Sequence, residues 1–269
     1  MIQIEYQNLL DYDELKCYFE VDYSPTDKIT IKQPKIQDVI NYGDIKFYSM
    51  INSLCGNTTS FRLQLWKIGI NWNKYSDFDL FCMMIKNYTP DDTRLLFGDL
   101  NLSWFEKFHN NETDSDVLIN IPRDKNGEMI PIDMNDAIII DEIVYIKIVE
   151  YLRYMFDIHP KVERAKNNAT AEAMIWEEEE NLKIQEMKNK DKKVESSILL
   201  PLVSSALNHP GFKYKKSELK EIGIVEFMDS IKRLQIYEST RALMSGMYSG
   251  MCDLSKVPKE EFNFMRSTN

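Results

Sequence analysis

The chain has 269 residues, 43% of them hydrophobic and 12% aromatic, which suffices for one large or two modest buried cores and excludes a disordered polypeptide. Its formal charge is −10, and the excess acid is N-terminal: residues 1–160 hold 15 Lys and Arg against 26 Asp and Glu, while residues 161–269 hold 18 against 17. An acidic surface repels nucleic acid and anionic lipid, so neither is a natural partner of the first part.

From the N-terminus, Ile2, Ile4 and Tyr6 alternate with polar residues, as do Ile29 and Ile31, so short strands are predicted at both points. YDELKCYFEVDY between them reads equally as strand or helical turn. Ser24-Pro25-Thr26-Asp27 reads as a turn, because Pro25 presets its own φ and short polar side chains bond locally. Pro34 precedes IQDVINYG, a helix that Gly43 can end with a positive φ. A second helix is predicted over Asp44 to Leu54, with Phe47, Met50, Ile51 and Leu54 on one face. FRLQLWKIGINW is ambiguous. Ser76 with Asp79, and Thr89-Pro90 with Asp92, are N-terminal capping patterns for two short helices, the second closed by Gly98.

Further on, VLINIPRDKNGEMIPID places alternating runs on both sides of Asn126-Gly127, and a β-hairpin near 117–133 is expected. Asp141 is a cap for DEIVYIKIVEYLRYMF, whose Ile143, Ile146, Val149, Leu152 and Phe156 recur every three to four residues. From Glu177 to Lys193 almost every residue is a solvated helix former, with acid-first i,i+4 pairs at Glu179/Lys183 and Glu186/Lys190, so 161–195 reads as an exposed helical connector. Beyond it, ESSILLPLVSSALNHPGF offers Ser196 and Ser197 as caps and tolerates Pro201 only in a first turn. GIVEFMDSIKRLQIYESTRALMSGMYSG is the longest helical pattern of the C-terminal part, with Ile224, Phe227, Met228, Ile231 and Leu234 on one side.

The expected fold is therefore an acidic α+β N-terminal domain over 1–160, a charged helical connector over 161–195, and a small all-α C-terminal domain over 196–269, predominantly helical overall.

No catalytic signature accompanies it. His109, His159 and His209 stand alone, and Cys17, Cys55, Cys82 and Cys252 form no CxxC, so no metal is implied. GxGxxG, GxxxxGK[ST] and GxSxG are all absent, which leaves no cofactor and no enzyme. The N-terminus carries no apolar leader pattern, and Ala137 to Ile140 is far below spanning length, so a soluble intracellular protein without a membrane partner is expected. Lys213, Lys215 and Lys216, with Lys232, Arg233 and Arg241, could form a basic patch, but residues 196–269 carry 10 Lys and Arg against 8 Asp and Glu, far from a nucleic-acid module. What remains is protein binding. Phe227, Ile231, Leu234, Met244, Met247, Tyr248 and Met251 are the candidate partner-binding residues, since thioethers repack readily around varied apolar partners.

IKQPKIQDVINYG, RLQLWKIGINW, YTPDDTRLLFGDL and PLVSSALNHPGFKY followed by MSGMYSG resemble tail-module proteins of bacteriophages of Gram-positive bacteria. The layout resembles tail assembly chaperones, in which a folded part, a charged connector and a small helical part hold the tape-measure protein while the tail tube assembles. The resemblance implies a non-enzymatic chaperone in the host cytoplasm, with the tape-measure or another tail protein as partner and self-association left open. A structural virion component and a nucleic-acid-associated regulator are the alternatives.

Overall fold

The computed structural model describes residues 10–111, 113–189, 197–250 and 257–267. Eleven α-helices and five strands in two small sheets are present among them, and about 53% of the described residues are helical. The expected strand around Ile2 to Tyr6 lies outside the described residues. Contacts divide the chain into two compact units, and neither is a continuous stretch of sequence: one comprises Met1–Gln33 and Ile45–Ser196, the other Pro34–Asp44 and Ser197–Asn269.

The larger unit begins with α1 (Glu14–Tyr18), whose first turn is held by the Asp13 carboxylate accepting from the backbone N–H groups of Leu15 and Lys16 at 2.9 and 3.1 Å. Strands β1 (Tyr23–Thr26) and β2 (Ile29–Ile31) pair antiparallel, so Ser24 to Thr26 is strand and the reversal falls after it. Pro25 lacks the ladder donor, but a two-stranded ribbon leaves an outer edge on which none is needed. Ile29 and Ile31 turn inward and Thr30 outward, the period of two that the sequence shows.

Helices α3 (Asp44–Cys55), α4 (Arg62–Lys67), α5 (Asp77–Ile85) and α6 (Pro90–Phe97) follow. The stretch with no clear period is thus helical at Arg62–Lys67. Its Leu63 and Leu65 are buried, and the chain then reverses through Gly69 at φ 81° to bury Trp72. Ser76 accepts from the N–H of Asp79, and the Asp92 carboxylate accepts from the Thr89 N–H and hydroxyl, so both capping patterns form as the sequence proposes. Gly98 ends α6 at φ 61°, a conformation that favours glycine.

The hairpin sits earlier than expected. β3 (Phe105–Asn110) and β4 (Ser115–Asn120) pair in continuous register from Phe105 opposite Asn120 to Asn110 opposite Ser115, and β5 (Ile139–Ile140) adds to the far edge of β4. Residues around Asn126-Gly127 make only a bridged loop, Arg123 opposite Met129, because the Asp124 carboxylate accepts from the N–H of both Asn126 and Glu128 and curls the chain on itself. Polar HNNETDSD, which shows no apolar alternation, supplies the true reversal; pairing to a buried Phe105 and Leu118 outweighs it.

α7 (Glu142–Phe156) is capped by Asp141, which accepts from the Val144 N–H at 2.8 Å. Its buried face is Tyr145, Ile148, Val149, Leu152 and Met155 with Phe156, rotated from the predicted stripe: Ile143 is exposed and Ile146 half-buried.

α8 (Asn168–Asn189) is where the expected connector and the structure part. Residues 161–165 are strapped to the larger unit by side chains from elsewhere. Asn57 donates to the Lys161 carbonyl, Thr59 exchanges hydrogen bonds with the Glu163 backbone, and Asn73 exchanges two with the Ala165 backbone, all at 2.9–3.2 Å. Ala165, Ala171 and Ile175 are buried against Leu63, Leu65, Trp72 and Leu80. Arg62 lies 6.0 Å over the Trp72 ring and pairs with Glu163 and Glu178, closing that contact. From Asn181 to Lys188 every side chain is exposed, so only the second half of the helix has the solvated character the composition suggests.

The smaller unit is helical. α2 (Ile36–Tyr42) is followed, more than 150 residues later, by α9 (Leu199–Asn208), α10 (Lys216–Leu219), α11 (Ile224–Tyr248) and a 3-10 turn at Lys259–Phe262. The chain entering α2 is joined to residues 220–224 by backbone bonds: Ile36 N–H to Ile222 O, Gln37 N–H to Lys220 O and Ile224 N–H to Pro34 O. Asp44 caps a helix remote in sequence, accepting from the Ser197 hydroxyl at 2.6 Å and the Leu199 N–H at 2.8 Å. Pro201 stands in the first turn of α9, where its missing donor is harmless. The core consists of Ile36, Val39, Leu199, Ala206, Leu219, Ile222, Ile224 and Phe227.

Candidate functional site

α11 runs 25 residues and carries six of the seven residues singled out for partner binding. The structure separates them. Phe227 is fully buried and belongs to the core, and Ile231 and Leu234 are half-buried. Met244 is 39% exposed and Tyr248 80%, with Met247 half-buried between them; Met251 lies outside the described residues.

The reason lies in the helical period. Ile236, Thr240, Leu243 and Met247 form an inner stripe, and the segment 257–267 returns along it. Buried Thr240 donates to the Glu261 carbonyl at 3.1 Å, Arg266 donates to the same carbonyl at 2.8 Å and to the Thr240 hydroxyl at 3.3 Å, and Arg233 donates to the Arg266 carbonyl at 2.7 Å. Tyr237, Met244 and Tyr248 lie seven and four residues apart, on an adjacent outer stripe that this segment leaves in solvent. Phe264 and Met265 add exposed apolar groups on the returning segment. Tyr237, Phe264 and Met265 escaped the sequence reading. The spacing of Tyr237 from Met244 was available, but nothing in an isolated FNFM run tells which way it faces.

Three cations of the expected basic patch meet carboxylates. Lys213 pairs with Glu226 at 3.2 Å and lies 4.5 Å over the Tyr214 ring; Tyr214 donates to the same carboxylate, and burial with that charge holds the phenol above its ordinary value. Arg233 pairs with Asp229 at 3.5 Å, and Arg241 approaches Glu238 at 3.9 Å. At those three positions the patch is interleaved with carboxylates.

The histidines sit in local pairs. His109 meets Asp116 at 3.0 Å, His159 meets Asp157 at 3.0 Å, and His209 accepts from the Gly211 N–H at 3.0 Å. Among the described residues no group of three His, Cys, Asp or Glu is placed to hold a metal, and no helix is long and apolar enough to cross a membrane. Cys17, Cys55 and Cys82 are buried free thiols, and burial pushes Cys55 and Cys82 up to about 12, so neither is a ready nucleophile.

No protein family, curated protein or solved structure matches the chain. The functional reading therefore rests on its residues and on their arrangement.

Proposed function

We propose that the protein is a non-enzymatic phage tail assembly chaperone, acting in the host cytoplasm, whose helical unit holds the tape-measure protein during tail morphogenesis. The observation that carries this reading is the outer stripe of α11. Tyr237, Met244 and Tyr248 expose large apolar surface in line along three turns, beside Phe264 and Met265. A stripe of that length fits the apolar face of a partner helix, and methionine and tyrosine adapt to varied partners with little steering by charge.

The test uses the full chain. Met244→Asp with Tyr248→Asp places two charges in the contact, and desolvating even one without a partner costs several kcal/mol. Both side chains are exposed, so circular dichroism and the melt should stay as in the parent while co-purification with the co-expressed tape-measure protein is lost. Retained co-purification of that variant overturns the assignment of the surface. Mass spectrometry of purified virions decides between a chaperone, absent from finished particles, and a structural component, present in stoichiometric amount. The carboxylates beside Lys213, Arg233 and Arg241 weaken the case for a nucleic-acid regulator.

A further inference from the structure

The second half of α8 runs clear of the core of the larger unit. Ala171 and Ile175 are buried and Arg62 reaches Glu178, but from Asn181 to Lys188 every side chain is in solvent. A helical end of this kind is marginal in water without cover. It nevertheless carries large apolar groups in the open: Trp176 is 67% exposed, Met187 66% and Ile184 46%.

These three share a side. At 3.6 residues per turn they lie about 100–180° round the helix from Ile175, so their face and the face in the core do not compete. Along that side Ala169, Ala173, Trp176, Glu180, Lys183 and Met187 follow at alternating intervals of four and three residues, the spacing of a two-helix seam. Its middle is charged, and with opposite sign on successive turns: Glu180 and Lys183 are both partly exposed and pair with each other at 2.7 Å.

We infer that α8 pairs antiparallel with α8 of a second copy of this chain. Charge selects both the partner and the direction. With the two-fold axis between Glu180 and Lys183, Glu180 of each copy meets Lys183 of the other. Trp176 of each then meets Met187 of the other, a sulfur–aromatic contact, and every contact is made twice. A parallel pair would set Glu180 on Glu180 and Lys183 on Lys183, like charge on like. The segment is thus complementary to itself. The seam is short, since Trp176 to Met187 spans about 17 Å, and at its rim Glu179 faces Glu186, acid on acid. The dimer is therefore one that forms and parts with concentration. The seam belongs wholly to the larger unit and does not depend on what the helical unit holds.

Sedimentation velocity of the full chain over about 5–500 µM tests it, and a shift from monomer to dimer across that range is expected. Trp176→Ala with Met187→Ala should weaken the dimer by at least about tenfold and leave the melt unchanged, because both side chains are exposed. Glu180→Lys alone and Lys183→Glu alone should each weaken it by about tenfold. An equimolar mixture of those two variants should dimerise again, since each supplies the charge the other lacks. A bond within one helix cannot produce that repair. Met244→Asp with Tyr248→Asp should leave the dimer as in the parent, which keeps this seam distinct from the α11 surface. A monomer at every concentration overturns the inference. So does a dimer that survives Trp176→Ala with Met187→Ala, that is indifferent to both charge reversals as a parallel pair would be, or that the α11 double variant abolishes, and so does a mixture that stays monomeric.

Discussion

The two units solve the problem of burial differently. The larger one has a core of Trp72, Tyr151, Phe47, Phe105 and many fully buried aliphatic residues and still exposes Phe19, Ile68, Val162 and Trp176, whereas the helical one, among the described residues, buries eight apolar side chains and leaves Ile198, Leu200, Tyr237, Met244, Tyr248, Phe264 and Met265 well exposed. A unit of that size cannot cover every large apolar group it carries. In the helical unit the core is small, and three of the exposed groups, Tyr237, Met244 and Tyr248, stand in line on one helix.

The sharpest way to break that contrast is to remove α2 from the unit it completes. Ile36 and Val39 are fully buried there, and Asp44 caps α9, so a polypeptide of residues 197–269 alone loses about 3–6 kcal/mol of burial and a remote cap. It should show no cooperative thermal transition by circular dichroism, and a sharp transition would mean the helical unit stands without its N-terminal piece. Next in size, Ile175→Ala should destabilise the larger unit by about 2–5 kcal/mol in urea, against under 1 kcal/mol for Leu182→Ala on the exposed turns of the same helix. Equal effects would remove the distinction between the two halves of α8.

A smaller effect is expected in alkali. Folded Cys55 and Cys82 titrate near 12, while in the unfolded chain they ionise at ordinary thiol values. Above about pH 8.5 the unfolded state holds fewer protons than the native one, so stability falls as pH rises from there towards 12. The fall should flatten in the Cys55→Ser, Cys82→Ser double variant, and Ellman's reagent at pH 8 should label both thiols only on unfolding. Smallest of all, Met244→Ala and Tyr248→Ala should each change the melt by no more than about 0.5 kcal/mol, because neither side chain supports the core. A larger loss would turn the proposed contact surface into part of the fold.

Much of this was legible locally. The capping residues Ser76, Thr89 with Asp92, and Asp141 announce their helices correctly because a cap is a short-range hydrogen bond between residues two or three apart. Gly43 and Gly98 mark helix ends for the same reason. What failed was long-range. The strap from Asn57, Thr59 and Asn73 to 161–165 joins residues 92 to 104 apart, and no period in either stretch signals it. Asn126-Gly127 misled because its turn chemistry is genuine, but Asp124 spends it on a small bridged loop, while the sheet forms where Phe105 and Leu118 can be buried. Likewise, Tyr151 meets Cys17 and Tyr23 only in the fold, and no period in the sequence signals it.

The membership of α2 in the helical unit also fixes an order of events during synthesis. Ile36 and Val39 leave the ribosome early, yet Ile222, Ile224 and Phe227 follow roughly 180 residues later, about 10–40 s at ordinary elongation rates. Towards the end of that interval the larger unit can close around its own core, and throughout it a short apolar helix waits without its cover. A translation product that stopped before residue 197 would carry that bare helix permanently, ready to be recognised by a chaperone, a protease or another copy of itself.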